Sequence, residues 1–488
     1  MLKKYMISLV MALALLCSVT AFASAAQGDA GISVQLNGQN LEFTDAAPQV
    51  QDGRTFLPYR AVFEAMGAEV DYADNVVTAK RGDAALSMTI GATTATVTRA
   101  GVAEELTMDV APYVDNATWR TYVPVRFAAD ALGCSVGWDQ DTQTVVILDA
   151  DTLVDEALAG KEFTLLEQYM KYSEKYNKGS WAVDGTMNAS ASLLGSQPFS
   201  LLTGTVDGIV SGNAAGELGM TMDLDLASLM SHIAYLTGAT LEDMGVTEEE
   251  LRMSMAMDMK MDLDAGTIYF KMDDALNTAM GLSAGTWMSM DLNAVMAESG
   301  MEWDYDALMA QANDIDAVEL LKAALGGISL DDHAADTYTT VANTLDSVLT
   351  ALSDKGFQKT ADGYETTLNL NVEGVEFSVM MDLTTAASGE VNGYGMTLSM
   401  IVPLDEQTKS ALAESGLSVD QIVLGVSSSV DQNDRAKSVI NLSMAPLFTA
   451  DMTVEMNYSA TSQTPNTALP AGAVVVDYMD LMASPLQE

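Results

Sequence analysis

The chain has 488 residues and a formal net charge of −46, from 68 acidic against 22 basic residues. So acidic a surface repels a polyanion and holds no basic patch from which counterions are released, which excludes nucleic acid as a partner and disfavours an anionic membrane surface. Only two cysteines occur over this length, so stability rests on core burial, which a chain of this size supplies.

Residues 1 to 25 carry an export pattern. Lys3 and Lys4 precede an apolar run from Tyr5 to Leu16, and Ala21-Phe22-Ala23 and Ala23-Ser24-Ala25 both show the small-x-small spacing cut by signal peptidase. Leu16 stands where a lipoprotein signal needs a small residue before Cys17, so release is expected rather than lipid attachment. No later stretch of eighteen apolar residues exists, so no transmembrane segment is expected after signal removal. Removal also takes Cys17, leaving Cys134 without a disulfide partner. Cys134 follows a helix-ending glycine, which predicts a small buried residue rather than a reactive thiol.

The next stretch is built twice. Arg54-Thr55-Phe56-Leu57-Pro58-Tyr59-Arg60 is answered sixty-six positions later by Arg120-Thr121-Tyr122-Val123-Pro124-Val125-Arg126, and Gly67 and Val70 by Gly133 and Val136. In each copy a short extended run meets a proline suited to the first turn of a helix. In the second, Val125, Phe127, Ala128, Ala131 and Leu132 make one apolar helical face, Gly133 supplies the left-handed cap, and Val136 and Trp138 begin a strand that turns at Asp139-Gln140-Asp141-Thr142 into Thr144 to Leu148. Upstream, Ile32 to Gly38 reads as a strand entering an Asn-Gly turn.

Together these residues resemble the copper amine oxidase-like N-terminal domain, or stalk domain, of secreted Gram-positive proteins, over residues 31–149. The resemblance implies a small α+β adapter and no amine oxidation. The catalytic part of those oxidases needs three histidines on copper and an Asn-Tyr-acidic motif, whereas this chain has only His232 and His333, and Asn457-Tyr458 is followed by Ser459.

Residues 150–180 form a helical connector, dense in apolar residues, interrupted near Gly160 and ending in Lys171, Lys175 and Lys178, where cations favour the helix dipole. From 181 to 460 the pattern is of long antiparallel strands. The strongest is Met253, Met255, Met257, Met259 and Met261, methionine at every second position, the mark of a strand with one dry face. Similar alternation recurs from Leu218 to Leu226, Trp287 to Leu292, Thr366 to Val372, Val375 to Leu383, Met396 to Val402, Ile422 to Val430, Ser438 to Met444 and Met452 to Tyr458. Helical spacing marks Ala227 to Thr237, Asp304 to Leu325, Asp336 to Leu352 and Glu406 to Leu412, helices that can cover one face of a curved sheet or plug its mouth. Residues 461–488 read as an extended tail. The fold class is therefore α+β, mostly antiparallel: a small repeat-built domain followed by a large curved antiparallel sheet with covering helices, similar in strand count to the half-open β-barrels of envelope lipoprotein carriers, though no motif carries that likeness.

The 33 methionines permit three roles. They can fill core, line a pliable cavity for a lipid-like ligand, or bind Cu(I) through thioethers; alternate residues of one strand stand about 7 Å apart, too far for a single ion. Neither His232 nor His333 lies in a nucleophilic or zinc pattern, and Asp258, Asp262 and Asp264 lack a calcium-loop spacing, so no catalytic residue, metal or cofactor is assigned. Arg54, Arg60, Arg120 and Arg126 either pair within the fold or hold an anionic wall polymer. The expectation is an exported, non-catalytic binding or scaffold protein of the cell envelope or extracellular space. Its partner is a wall polymer, an envelope protein or an apolar small molecule.

Overall fold

The computed structural model describes residues 32–483 other than 52, 100, 213–214, 299–316, 331–332, 373 and 415. The signal pattern at 1–25, the first part of the helix expected from Asp304, and the chain end therefore lie outside the described residues. The chain divides into two compact units, one running to Lys161 and taking in Asp316–Leu349, the other made of Glu162–Ile315 and the chain from Thr350 onward.

The first unit is organised about its repeat. Strands Arg54–Pro58 and Thr121–Pro124 pair antiparallel, with Leu57 opposite Val123, Phe56 opposite Pro124 and Pro58 opposite Tyr122. Leu57 thus faces its own repeat counterpart, so a pseudo-twofold axis passes between the two copies. Each proline stands at the N-cap, one position before the helix proper, at Tyr59–Ala65 and Val125–Ala131. Each helix ends identically: Ala68 N donates to Phe63 O and Cys134 N to Ala129 O, at 2.9 and 3.0 Å, around Gly67 and Gly133 at φ of +75° and +83°. That left-handed position is what makes glycine necessary at both. Leu57, Phe63, Met66, Leu86, Met88, Val123 and Ile147 form a closed core between the helices and the surrounding strands.

Three small sheets complete the unit. Ser33–Leu36 enters an Asn37-Gly38 turn into Gln39–Asn40 and lies parallel to Thr144–Leu148. The second sheet holds the paired repeat strands. A five-stranded antiparallel sheet runs from Glu69–Ala73 to Val102–Thr107.

The helices Ala317–Gly326 and Ala334–Leu352, which the sequence assigns as cover for the large sheet, depart from that expectation: residues 316–349 cluster with the repeat unit. The reason is specific docking. Gly137 gives passage to Leu330 and Ala334, Ser135 Oγ donates to Gly326 O at 3.0 Å, and Ala335 N donates to the buried Asp139 carboxylate at 3.1 Å. Lys322 and Lys161 pair across this contact with Asp155 and Asp346, both at 2.8 Å. The helix Ala150–Leu158, capped by Asp149, belongs to the same compact unit.

The second unit holds one fourteen-stranded, almost wholly antiparallel sheet whose spatial order departs from sequence order. Spatially, Gln358–Lys359, Gly363–Val372, Val375–Thr385, Val391–Pro403, Gln421–Val430, Arg435–Met444 and Phe448–Thr461 come first. Ser180–Leu193, Phe199–Ser211, Ala215–Asp225, Arg252–Asp262, Thr267–Met272, Trp287–Asp291 and Val475–Asp477 follow. The late strand Phe448–Thr461 pairs along its whole length with the early strand Ser180–Leu193, joining two sequence-consecutive halves. Only the last pair, Trp287–Asp291 with Val475–Asp477, is parallel.

Candidate ligand-binding face

Period-two patterning gives the large sheet two chemically distinct faces. On the polar face the charges pair across strands: Lys260 with Glu217 at 3.0 Å, Lys271 with Asp258 at 2.9 Å and Lys437 with Glu455 at 2.8 Å, while Asn457 donates to Asp184 at 2.9 Å. The tail crosses this face. Asn466 N donates to Glu217 at 2.9 Å and Lys260 donates to Asn466 O, which leaves Lys260 only 7% exposed. The Asn466 amide, followed by Lys260, holds the Glu217 carboxyl below its usual range.

The opposite face is apolar from strand to strand. One row passes from Leu368 through Val379, Leu398, Val426, Ile440 and Met452 to Ala189, each directly opposite the next. It continues through Leu202 and Leu224 to Met253. One end of the face is covered by the helix Thr164–Lys178: Tyr169 and Tyr172 lie edge-on to Tyr394 at 4.8 and 6.4 Å, and Tyr176 packs on Trp181 and Tyr458. Tyr176 also donates to Asp434 in the turn beyond, and burial pushes its phenol well up. Tyr394, Val430 and Ala436 beneath that helix are buried. Four residues along the strands of Tyr394, Val430 and Ala436 the cover ends, and Leu398, Val426, Ile440 and, on the next strand, Met452 are 43, 38, 46 and 37% exposed.

The methionines expected at the dry face lie on it. Met255, Met257, Met259 and Met261 are half-buried on Arg252–Asp262, and Met253 at the strand's start is exposed. Their neighbours are apolar throughout: Met222 and Met220 oppose Met255 and Met257, and Phe270 and Ile268 oppose Met259 and Met261. No methionine lines the open depression of about 450 Å³, which lies on the five-stranded sheet of the other unit beside Glu69, Asp71, Thr78 and Lys80.

The four arginines sit on the repeat unit. Arg54 pairs with Asp109, ahead of the second copy, and Arg120 with Asp45, ahead of the first, at 2.9 Å, so the two ion pairs are exchanged across the pseudo-twofold. Arg60 reaches Glu64 at 3.3 Å and lies over the Tyr59 ring. Arg126 stands one turn before Asp130, whose carboxyl is raised by burial against the pull of Arg126 and Arg99. A further arginine of this unit forms a largely buried ion pair. Arg81 meets the nearly buried Asp149 at 2.6 Å and also donates to Cys134 Sγ. Cys134 is 3% exposed, and burial followed by the Asp149 charge pushes its thiol up to about 12.

His232 bonds Ser228 O at 2.8 Å through Nδ1 and stacks on Phe199, and His333 lies 3.5 Å from Asp141 at the start of a helix. Both histidines are partly covered by their neighbours. Among the described residues no group of three or more His, Cys, Asp or Glu is placed to hold a metal, and no helix is long and apolar enough to cross a membrane.

Trp119 was legible only by comparing the repeats. It takes the place of Gly53, both have positive φ, +57° and +72°, and the residue is 75% exposed. A bulky residue in that region costs about 1–2 kcal/mol in backbone energy, and the fold gains little packing in return.

Residues 35–147 match the family model of the copper amine oxidase N-terminal domain, so the repeat unit carries that domain and none of the catalytic part is matched. No curated protein matches the chain. Two solved structures align along most of their own length. Ail, the attachment invasion locus protein of Yersinia pestis, is 7% identical, covering 58% of this chain and 98% of its own with a TM-score of 0.13. Pseudomonas putida OprB at low pH is 8% identical, covering 62% and 100% with a TM-score of 0.10. At those scores neither carries an argument about this fold or its function.

Proposed function

We propose that this is an exported, non-catalytic binding protein of the cell envelope or extracellular space. The copper amine oxidase N-terminal domain acts as the adapter, and the apolar face of the large sheet takes the chain of a lipid-like ligand. One observation carries the proposal: Leu398, Val426, Ile440 and Met452 are consecutive neighbours on four strands and all are open to solvent. Strands about 4.8 Å apart make this an apolar track roughly 14 Å long. Each Å² withdrawn from water there contributes about 25 cal/mol, and continuous exposed apolar surface marks an interaction site. Half-buried Met396 and Met400 on the same strand face lend the track a pliable border. Export is supported by the pattern at residues 1–25. The pairing of Arg54, Arg60 and Arg120 favours a structural part for those three over an anionic wall polymer.

The test is titration with a fluorescent long-chain fatty acid. The wild type is expected to saturate at one or two equivalents, and Val426→Asp/Ile440→Asp to bind at least tenfold more weakly while retaining its circular dichroism. Equal binding by the two proteins rejects the reading.

A further inference from the structure

Methionines of a single strand are too far apart to share an ion, but the register across strands removes that obstacle. Met257 lies directly opposite Met220 on one neighbouring strand and directly opposite Met272 on the other. One step along, Met255 opposes Met222. Five thioethers thus occupy two adjacent rows of a three-strand block, all on the apolar face and all half-buried. Directly opposed side chains begin about 5 Å apart. Three unbranched side chains, each with three rotatable bonds, can bring their sulfurs together over the middle strand without moving the backbone.

From this register we infer that Met220, Met257 and Met272 form a Cu(I) site of three thioethers. The ligand type selects the metal: soft, neutral sulfur favours Cu(I) over Zn(II), Mg(II) or Ca(II), which take imidazole, thiolate or oxygen. Three methionines need no histidine or cysteine to complete the set, and the protein's net charge of −46 favours approach of a cation. The cation partners nearest in the ladder, Asp258 and Lys271, pair with each other on the opposite face and do not compete. The inference does not rest on the fatty-acid reading or on the name of the N-terminal domain. It concerns binding only, with no change of oxidation state.

Thioethers carry no proton near neutrality, which separates this site from any imidazole or thiolate site, whose affinity falls on acidification. The experiment is anaerobic titration of the full chain with Cu(I) against a chromophoric Cu(I) chelator at pH 7 and pH 5. One equivalent is expected to bind with affinity unchanged between the two pH values. Met257→Leu, and separately Met220→Leu/Met257→Leu/Met272→Leu, are expected to weaken it at least tenfold. Met253→Leu/Met452→Leu removes two exposed methionines opposed by Leu224 and Ile440, and is expected to leave it intact. The inference is overturned if the wild type takes no Cu(I), if affinity falls tenfold or more at pH 5, or if Met257→Leu binds as the wild type does.

Discussion

Gly137→Ala tests whether residues 316–349 belong to the repeat unit. The strand Ser135–Asp139 is fixed in its ladder, with Gly137 opposite Val146, and an added methyl would sit 2.4 Å from Leu330 Cβ and 2.6 Å from Ala334 Cβ. Carbon atoms rest at about 3.5–4.0 Å, so the layers must part by about 1 Å. Leu330 and Ala334 are 8 and 0% exposed and have no free space to retreat into. Overpacking of this kind costs about 1–3 kcal/mol. Detaching the segment costs more, because Leu321, Leu325, Val341 and Leu345 are buried with it and each contributes about 1.5–3 kcal/mol. Strain in place is therefore the predicted response. For a unit of this size the cost appears as a fall of about 2–12 °C in its calorimetric transition. Gly327→Ala is the control: its methyl would meet only ordinary contacts at 3.6 and 3.7 Å, with a shift of about 0.5 kcal/mol or less. A Gly137→Ala transition within 1 °C of wild type refutes the docking.

Other outcomes follow from the same structure. Arg81→Met leaves the Asp149 carboxylate buried and unpaired, a loss of about 3–5 kcal/mol, and Asp149→Asn in the same chain should recover part of it; denaturant unfolding of the singles and the double measures this. Cys134, its thiol pushed up to about 12, should resist a thiol reagent at pH 8 in the folded protein and react once denatured; rapid stoichiometric labelling contradicts its burial. Because the folded Glu217 carboxyl is held below its ordinary value of 4.5, its anchoring of the tail is complete above that pH and is lost as the pH falls through the lowered value. Glu217→Gln should expose the tail around Asn466 to proteolysis at neutral pH, and an unchanged cleavage rate would remove Glu217 from that role.

Local grammar was legible. The repeat at Arg54 and Arg120, the helix caps at Gly67 and Gly133 and the alternation from Met253 to Met261 each follow from steric or solvation rules acting within a few residues, and each gave the element found. The helix over Ala227–Thr237 was equally plain. Long-range partners were not. Nothing in the spacing of Ala317–Gly326 says that it packs beside Ala150–Leu158, since an apolar helical stripe does not name the surface it covers. The same limit hid the pairing of Phe448–Thr461 with Ser180–Leu193, and with it the row through Val426 and Ile440, because alternation fixes a strand's face but not its neighbour.

The claim that matters most is that the open apolar row holds a ligand. Native mass spectrometry of the protein purified from its own host measures this directly. A bound mass in the range of a fatty acid or lipid, lost in Val426→Asp/Ile440→Asp, is the predicted result; a wild type carrying no apolar adduct, and gaining none when incubated with fatty acid, contradicts it.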